Sequence, residues 1–215
     1  MEKRETLKRY GYLLIAFICC AVGIVMTINS RIGVSPWDVL HIGLAQTAGM
    51  SIGQANILVG AAVILLNVLL HQTLGIGTVF NIIVIGLCVD LIGVLGLVPL
   101  VEGLVLKYLM FVVGMIIFSY GTFLYIVQAK GCGPRDGLMQ AINRRTGISV
   151  GIVKNSIELM ALAVGWWLGG PVGWGTVVYA LTIGFFIQFF FTHFKVELKN
   201  VQHDSLQQEF KIWSH

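Results

Sequence analysis

Displaced by 98 residues, the second half of this chain lies on the first without a gap. Tyr10 falls on Tyr108, Gly23 on Gly121, Gly33 on Gly131, Pro36 on Pro134, Asp38 on Asp136, Gly49 on Gly147, Ser51 on Ser149 and Gly53 on Gly151. Farther along, Gly75, Gly77, Thr78, Val79 and Gly86 fall on Gly173, Gly175, Thr176, Val177 and Gly184. Apolar coincidences would mean little in a sequence that is 57% hydrophobic, but these positions set turns, helix caps and close backbone approaches. A fixed period of this kind constrains the fold more than any single motif, because whatever the first half builds the second builds again.

What is repeated is membrane-like. A span of the hydrocarbon core needs ~20 mostly apolar residues, and six such stretches occur, at 10–29, 52–71, 76–98, 108–127, 150–169 and 174–194. Only 11% of the residues are charged, against roughly a quarter in a soluble domain, so a water-soluble fold would lack a surface. Lys3, Arg4, Lys8 and Arg9 before the first run imitate a secretory signal, but the run is long for one, no small-residue cleavage site follows, and 108–127 repeats it. It is expected to be a retained span.

The expected organisation is one membrane domain: a cytoplasmic amino terminus (1–9), repeat unit 1 (10–100), repeat unit 2 (106–198) and a cytoplasmic tail (199–215). Each unit reads as a span, a loop with a short helix (36–48 or 134–146), then two spans joined by a tight turn into a hairpin. An odd number of spans repeated in tandem enters the membrane from opposite sides, which is inverted topology. The fold class predicted is therefore an all-α polytopic membrane protein with six spans and two short helices, re-entrant or interfacial. With the amino terminus inside, twelve Lys and Arg fall on the cytoplasmic side and only Arg31 and Lys107 outside. An eight-span arrangement would satisfy the charges nearly as well. Length argues against it, since a thirteen-residue helix reaches ~20 Å of a ~30 Å core.

The short helices open with Gly33-Val34-Ser35-Pro36-Trp37-Asp38 and Gly131-Cys132-Gly133-Pro134-Arg135-Asp136. Pro36 and Pro134 suit the first helical position, where an N–H is not needed, and Ser35 and Asp38 approach a capping box. Two readings stay open. Either two amphipathic helices lie in the headgroup region with the aspartates as caps, or two half-helices dip inward and present their N-termini to a ligand. Asp90 and Glu158 fall inside predicted spans, where an ionisable group is costly and is a site hypothesis by default. Neither is repeated, for Asp90 aligns with Gln188 and Glu158 with Gly60. The candidate substrate-binding residues are thus Ser35, Trp37, Asp38, Asp90, Arg135, Asp136 and Glu158, expected to converge on one cavity.

Other chemistry is not signalled. The five histidines share no ligand spacing, Cys19, Cys20, Cys88 and Cys132 form no metal or redox pair, and no P-loop, nucleophile elbow or zinc-protease motif occurs. No metal, cofactor, catalytic residue, enzyme activity or nucleic-acid partner is expected. The tail segment Phe210-Lys211-Ile212-Trp213 is placed either on the inner membrane surface or in solvent.

The paired G-x-[SG]-P-x-D loops, the GxGT turns and the tandem three-span units resemble the bacterial YczE/YyaS/YitT membrane protein family over roughly residues 8–198. The short tail leaves no room for the soluble carboxy-terminal domain of YitT-like members, which points to the YczE-like branch. The resemblance implies a bacterial plasma-membrane location with both termini cytoplasmic, and names no substrate. Two functions remain: a small-solute transporter or channel, with proton coupling an option, or a non-transporting membrane scaffold or regulatory factor. The partners expected are the bilayer and an unknown solute, and an oligomer is compatible with either function.

Overall fold

The computed structural model describes residues 2–197, so the tail and its Phe210–Trp213 segment lie outside the described residues. These residues form eight helices: α1 (Glu2–Ser30), α2 (Pro36–Ala48), α3 (Ile52–Leu69), α4 (Ile76–Leu95), α5 (Leu104–Val127), α6 (Pro134–Thr146), α7 (Val150–Trp167) and α8 (Trp174–His193). Five of them, α1, α3, α4, α5 and α8, are long and apolar enough to cross a membrane. The fifth stretch expected to span is α7. It has the length of α3 but carries Lys154, Asn155 and Glu158 in its first half and is not among the five.

Local chemistry sets the boundaries. Pro36 and Pro134 start the short helices, and Gly49 and Gly147 end them in the left-handed region at φ 65° and 71°, where a residue without Cβ is favoured. Ser51 closes a full capping box with Gln54 at the start of α3: the Ser51 Oγ accepts from Gln54 N–H at 3.0 Å and the Gln54 side chain accepts from Ser51 N–H at 3.0 Å.

The two halves hold each other by exchanged contacts. Gly77 N–H donates to the Lys130 carbonyl at 2.7 Å, and its repeat partner Gly175 N–H donates to the Ile32 carbonyl at 2.9 Å. Lys130 is the repeat partner of Ile32. Thr78 Oγ1 donates to the Cys132 carbonyl at 2.6 Å, while Thr176 Oγ1 accepts from Val34 N–H at 3.2 Å. The GxGT turn of each half therefore buttresses the loop of the other. Gly33 and Gly131, at φ 147° and 129°, sit under these turns, and a Cβ on Gly131 would lie 2.8 Å from both Gly75 Cα and Thr78 Oγ1.

The same exchange governs the helices. α1 packs on its counterpart α5 through small residues, and a Cβ at Gly23 would meet the Gly114 carbonyl at 2.6 Å while one at Gly121 would meet the Ala16 carbonyl at 2.7 Å. Small residues at such a crossing let backbones approach where lipid offers no hydrophobic drive. α2 packs on α7, and its counterpart α6 on α3. Neither short helix lies loosely on the outside; Pro36, Trp37, Asp38, Val39, His41 and Ile42 of α2 are all buried.

One expectation is corrected. Both units were expected to end in a packed hairpin, and α3 does pack along α4, with Gly53 and Gly86 against each other's backbone carbonyls. α7 and α8 do not pack along one another, and Gly151 and Gly184, the partners of Gly53 and Gly86, meet nothing within 4 Å. The seam itself differs between the halves. Gly60 nestles on Ile82, with its Cβ position 2.9 Å from Ile82 Cβ, where α7 carries Glu158, and Asp90 of α4 bonds Ser51 and Gly53 at the start of α3, where α8 carries Gln188.

Candidate binding cavity

A cavity of about 190 Å³ lies among all eight helices, against the ~10–15 Å³ of the same kind of volume that a single water needs. Both short-helix starts open on it: Ser35, Pro36, Trp37 and Asp38 from α2, and Gly133, Pro134, Arg135 and Asp136 from the start of α6. Glu158 and Lys154 reach it from α7, and Phe118, Tyr125 and Tyr179 supply aromatic wall.

Much of the lining comes in repeat pairs. Cys20 and Phe118, Ile24 and Thr122, Ser35 and Gly133, Trp37 and Arg135, Asp38 and Asp136, Asn56 and Lys154, Asn81 and Tyr179 all face the same space. The backbone frame is thus shared while the chemistry differs. Each unit contributes one aspartate, Asp38 or Asp136, and the second adds Arg135, Lys154 and Glu158.

The polar side chains are positioned in a chain. Ser35 caps α2 by accepting from Asp38 N–H at 3.1 Å, and its hydroxyl donates to Asp38 Oδ2 at 2.5 Å. The other oxygen, Asp38 Oδ1, lies 3.4 Å from His41 Nδ1 one turn on, and His41 Nε2 lies 3.5 Å from an Arg135 nitrogen. An Arg135 N–H can only donate there, so Nε2 acts as acceptor and Nδ1 carries the proton toward Asp38. The guanidinium stands 4.2 Å from the centroid of the Trp37 ring, a cation–π distance. On the other side of the cavity Tyr125 donates its hydroxyl proton to Asp136 Oδ2 at 3.2 Å.

Six of the seven residues singled out in the sequence therefore share the cavity, and Asp90 does not. Its carboxylate caps α3, accepting from Ser51 Oγ at 2.5 Å and from Gly53 N–H at 2.8 Å. That places it level with the first turn of α3, where negative charge meets the positive end of the helix dipole. Its repeat partner Gln188 instead donates within its own helix, to Thr192 Oγ1 at 3.3 Å.

The structure also brings in residues the sequence did not single out. His41 stands three residues after Asp38, a spacing that puts both on one helix face, and this was the available signal. Asn67 is fully buried and donates to the Pro134 carbonyl at 2.7 Å, fixing the start of α6 on α3; no local pattern points to it. Among the described residues no group of three or more His, Cys, Asp and Glu could hold a metal ion.

An all-helical chain whose long helices are this apolar, and whose polar groups turn inward to a shared cavity, is a polytopic membrane protein. Over residues 7–192 it belongs to a family of unknown function, DUF6198. It is 32% identical over 189 residues to the uncharacterized membrane protein YczE of Bacillus subtilis, covering 87% of each chain. It is 36% identical over 183 residues to an uncharacterized protein of Haemophilus influenzae, covering 85% of this chain and 83% of the other. YyaS of Bacillus subtilis is 26% identical over 175 residues, covering 79% and 86%. These relatives bear out the resemblance to the YczE-like group. No solved structure matches the chain.

Proposed function

We propose that the protein is a small-solute transporter or channel of the bacterial plasma membrane, with its site in the central cavity and no enzymatic activity. The observation that carries this reading is the cavity between the starts of α2 and α6, lined by repeat-paired positions of unlike chemistry. In the proposed arrangement α7 is the sixth span, the two units are inverted, α2 and α6 are re-entrant, and both termini are cytoplasmic. The exchanged contacts support a two-fold relation between the halves: when residue i of one unit meets j of the other, and j meets i in return, the interface has two-fold character.

Transport by such a frame uses its asymmetry. One hairpin, α3 with α4, is closed and the other, α7 with α8, is open. Units with the same backbone plan can exchange these conformations, which opens a fixed site first to one side and then to the other. Glu158 sits on the helix face that changes neighbours in that exchange, and is the group proposed to carry a coupled proton. Asp90 has no part in it.

The test is uptake into sealed vesicles containing the purified protein, with a panel of radiolabelled small solutes and an imposed pH gradient. Gradient-dependent uptake that disappears in Glu158→Gln supports the proposal. Vesicles indistinguishable from protein-free controls across the panel, in both gradient directions, count against it.

A further inference from the structure

Among the charged groups of the cavity wall, Arg135 and Glu158 make no direct ion pair with each other. Arg135 is a fork of five N–H donors; its close protein partners are one nitrogen of His41 and the face of Trp37. Among the described residues no carboxylate lies within 4.0 Å of the guanidinium. Glu158 is half-buried in the cavity wall and accepts no hydrogen bond from a described residue. Lys154, one turn before it on α7, is exposed and also outside ion-pairing distance.

Asp38 does not neutralise Arg135 directly. Its two oxygens are turned to Ser35 and His41, and the imidazole stands between it and the guanidinium. Asp136 faces Tyr125. The cation and the acid in the cavity therefore make no direct ion pair: Arg135 feels Asp38, Asp136 and Glu158, and Glu158 feels Lys154 and Arg135, only at longer range, with open space and the aromatic rings of Phe118, Tyr125 and Tyr179 around that space. A group taken out of water in this state is costly unless something pairs with it.

From this unpaired couple we infer that the solute is a small zwitterion, its carboxylate docked on Arg135 and its ammonium on Glu158. A plain anion would satisfy Arg135 but bring its charge toward Glu158. A plain cation would satisfy Glu158 but approach Arg135 and Lys154. A molecule carrying both charges answers both groups, and a short methylene segment between them suits the aromatic wall. Arg135 presents the planar double donor that matches a carboxylate. The inference rests on the transport site proposed above and deepens it.

The experiment is equilibrium binding to the full chain in detergent micelles. Tritiated glycine, β-alanine, γ-aminobutyrate, 5-aminovalerate and 6-aminohexanoate step the separation between charges, and butyrate and butylamine carry one charge each. One member of the series is expected to bind at least tenfold more tightly than either single-charge probe. Arg135→Gln and Glu158→Gln should each abolish that preference, the first sparing weak butylamine binding and the second weak butyrate binding. If Arg135→Gln does not fold, Glu158→Gln alone still decides the matter, since that side chain makes no protein hydrogen bond to lose. No binding anywhere in the series, or butyrate binding as tightly as the best zwitterion and unchanged in Glu158→Gln, overturns the inference. Because micelles have no two sides, binding without vesicle uptake would leave the zwitterion site standing and remove the transport reading. Uptake of a single-charge solute without zwitterion binding would do the reverse.

Discussion

Replacing Asp90 by Asn separates a structural acid from a functional one. The carboxylate accepts from Ser51 Oγ at 2.5 Å and from Gly53 N–H at 2.8 Å. Asn is nearly isosteric: its oxygen can keep the Gly53 bond, and its amide can donate to Ser51 Oγ, so both bonds survive in neutral form. A bond to a charged group contributes ~1.5–3 kcal/mol and a neutral one ~0.5–1.5 kcal/mol, a loss of about 1 kcal/mol for each. Removing the negative charge from the first turn of α3 costs a further ~0.3–1 kcal/mol. Asp90→Asn should thus destabilise the protein by about 2–3 kcal/mol, measured by reversible unfolding in mixed micelles titrated with SDS. Binding at the central cavity should be unchanged under conditions where the variant is folded. An unaltered unfolding midpoint combined with lost binding or uptake would refute the assignment and return Asp90 to the site.

Other positions give sharper contrasts. Gly131→Ala should cost about 3 kcal/mol, from strain at φ 129° and the collision with Gly75 and Thr78, each worth ~1–3 kcal/mol; Gly147→Ala, at φ 71° with nothing within 4 Å, should cost about 1 kcal/mol in the same unfolding assay. Gly184→Leu meets open space in this conformation and should leave folding within ~0.5 kcal/mol of the parent, yet suppress vesicle uptake by blocking closure of α7 on α8. Undiminished uptake would rule out that closure. For the topology, a cysteine replacing Gly103 in a background without native thiols should react with an impermeant reagent only from outside, and one replacing Asn200 only from inside.

What could be read in the sequence follows from where the determinants lie. The short helices were legible to the residue because Ser35, Pro36 and Pro134 act through bonds no farther than one helical turn away. The interlocking of the halves was implicit in the repeat, since Gly75, Gly77 and Thr78 recur with Gly33 and Pro36. Asp90 was not legible as a cap, because its partner Ser51 lies 39 residues away across a tertiary contact, and an acid in an apolar run looks the same whether it caps or binds. The open hairpin was hidden for the opposite reason. Gly151 and Gly184 copy Gly53 and Gly86 faithfully, while the positions that tie α3 to α4, Asn56, Gly60 and Asp90, are replaced by Lys154, Glu158 and Gln188 in the second half. Arg135 and Trp37 were legible as candidates but not as a stacked pair, since they belong to different halves.

The central claim is that the cavity is reached from both sides of the membrane as the two units exchange conformations. In a background without Cys19, Cys20, Cys88 and Cys132, a single cysteine replacing Asn81, which lines the cavity, can be challenged with an impermeant thiol reagent in right-side-out and inside-out vesicles. The account predicts modification in both preparations, and in only one of them when Gly184→Leu is added. A cysteine that stays unmodified in both, while the protein is folded and a cysteine replacing Gly103 labels normally, would contradict it.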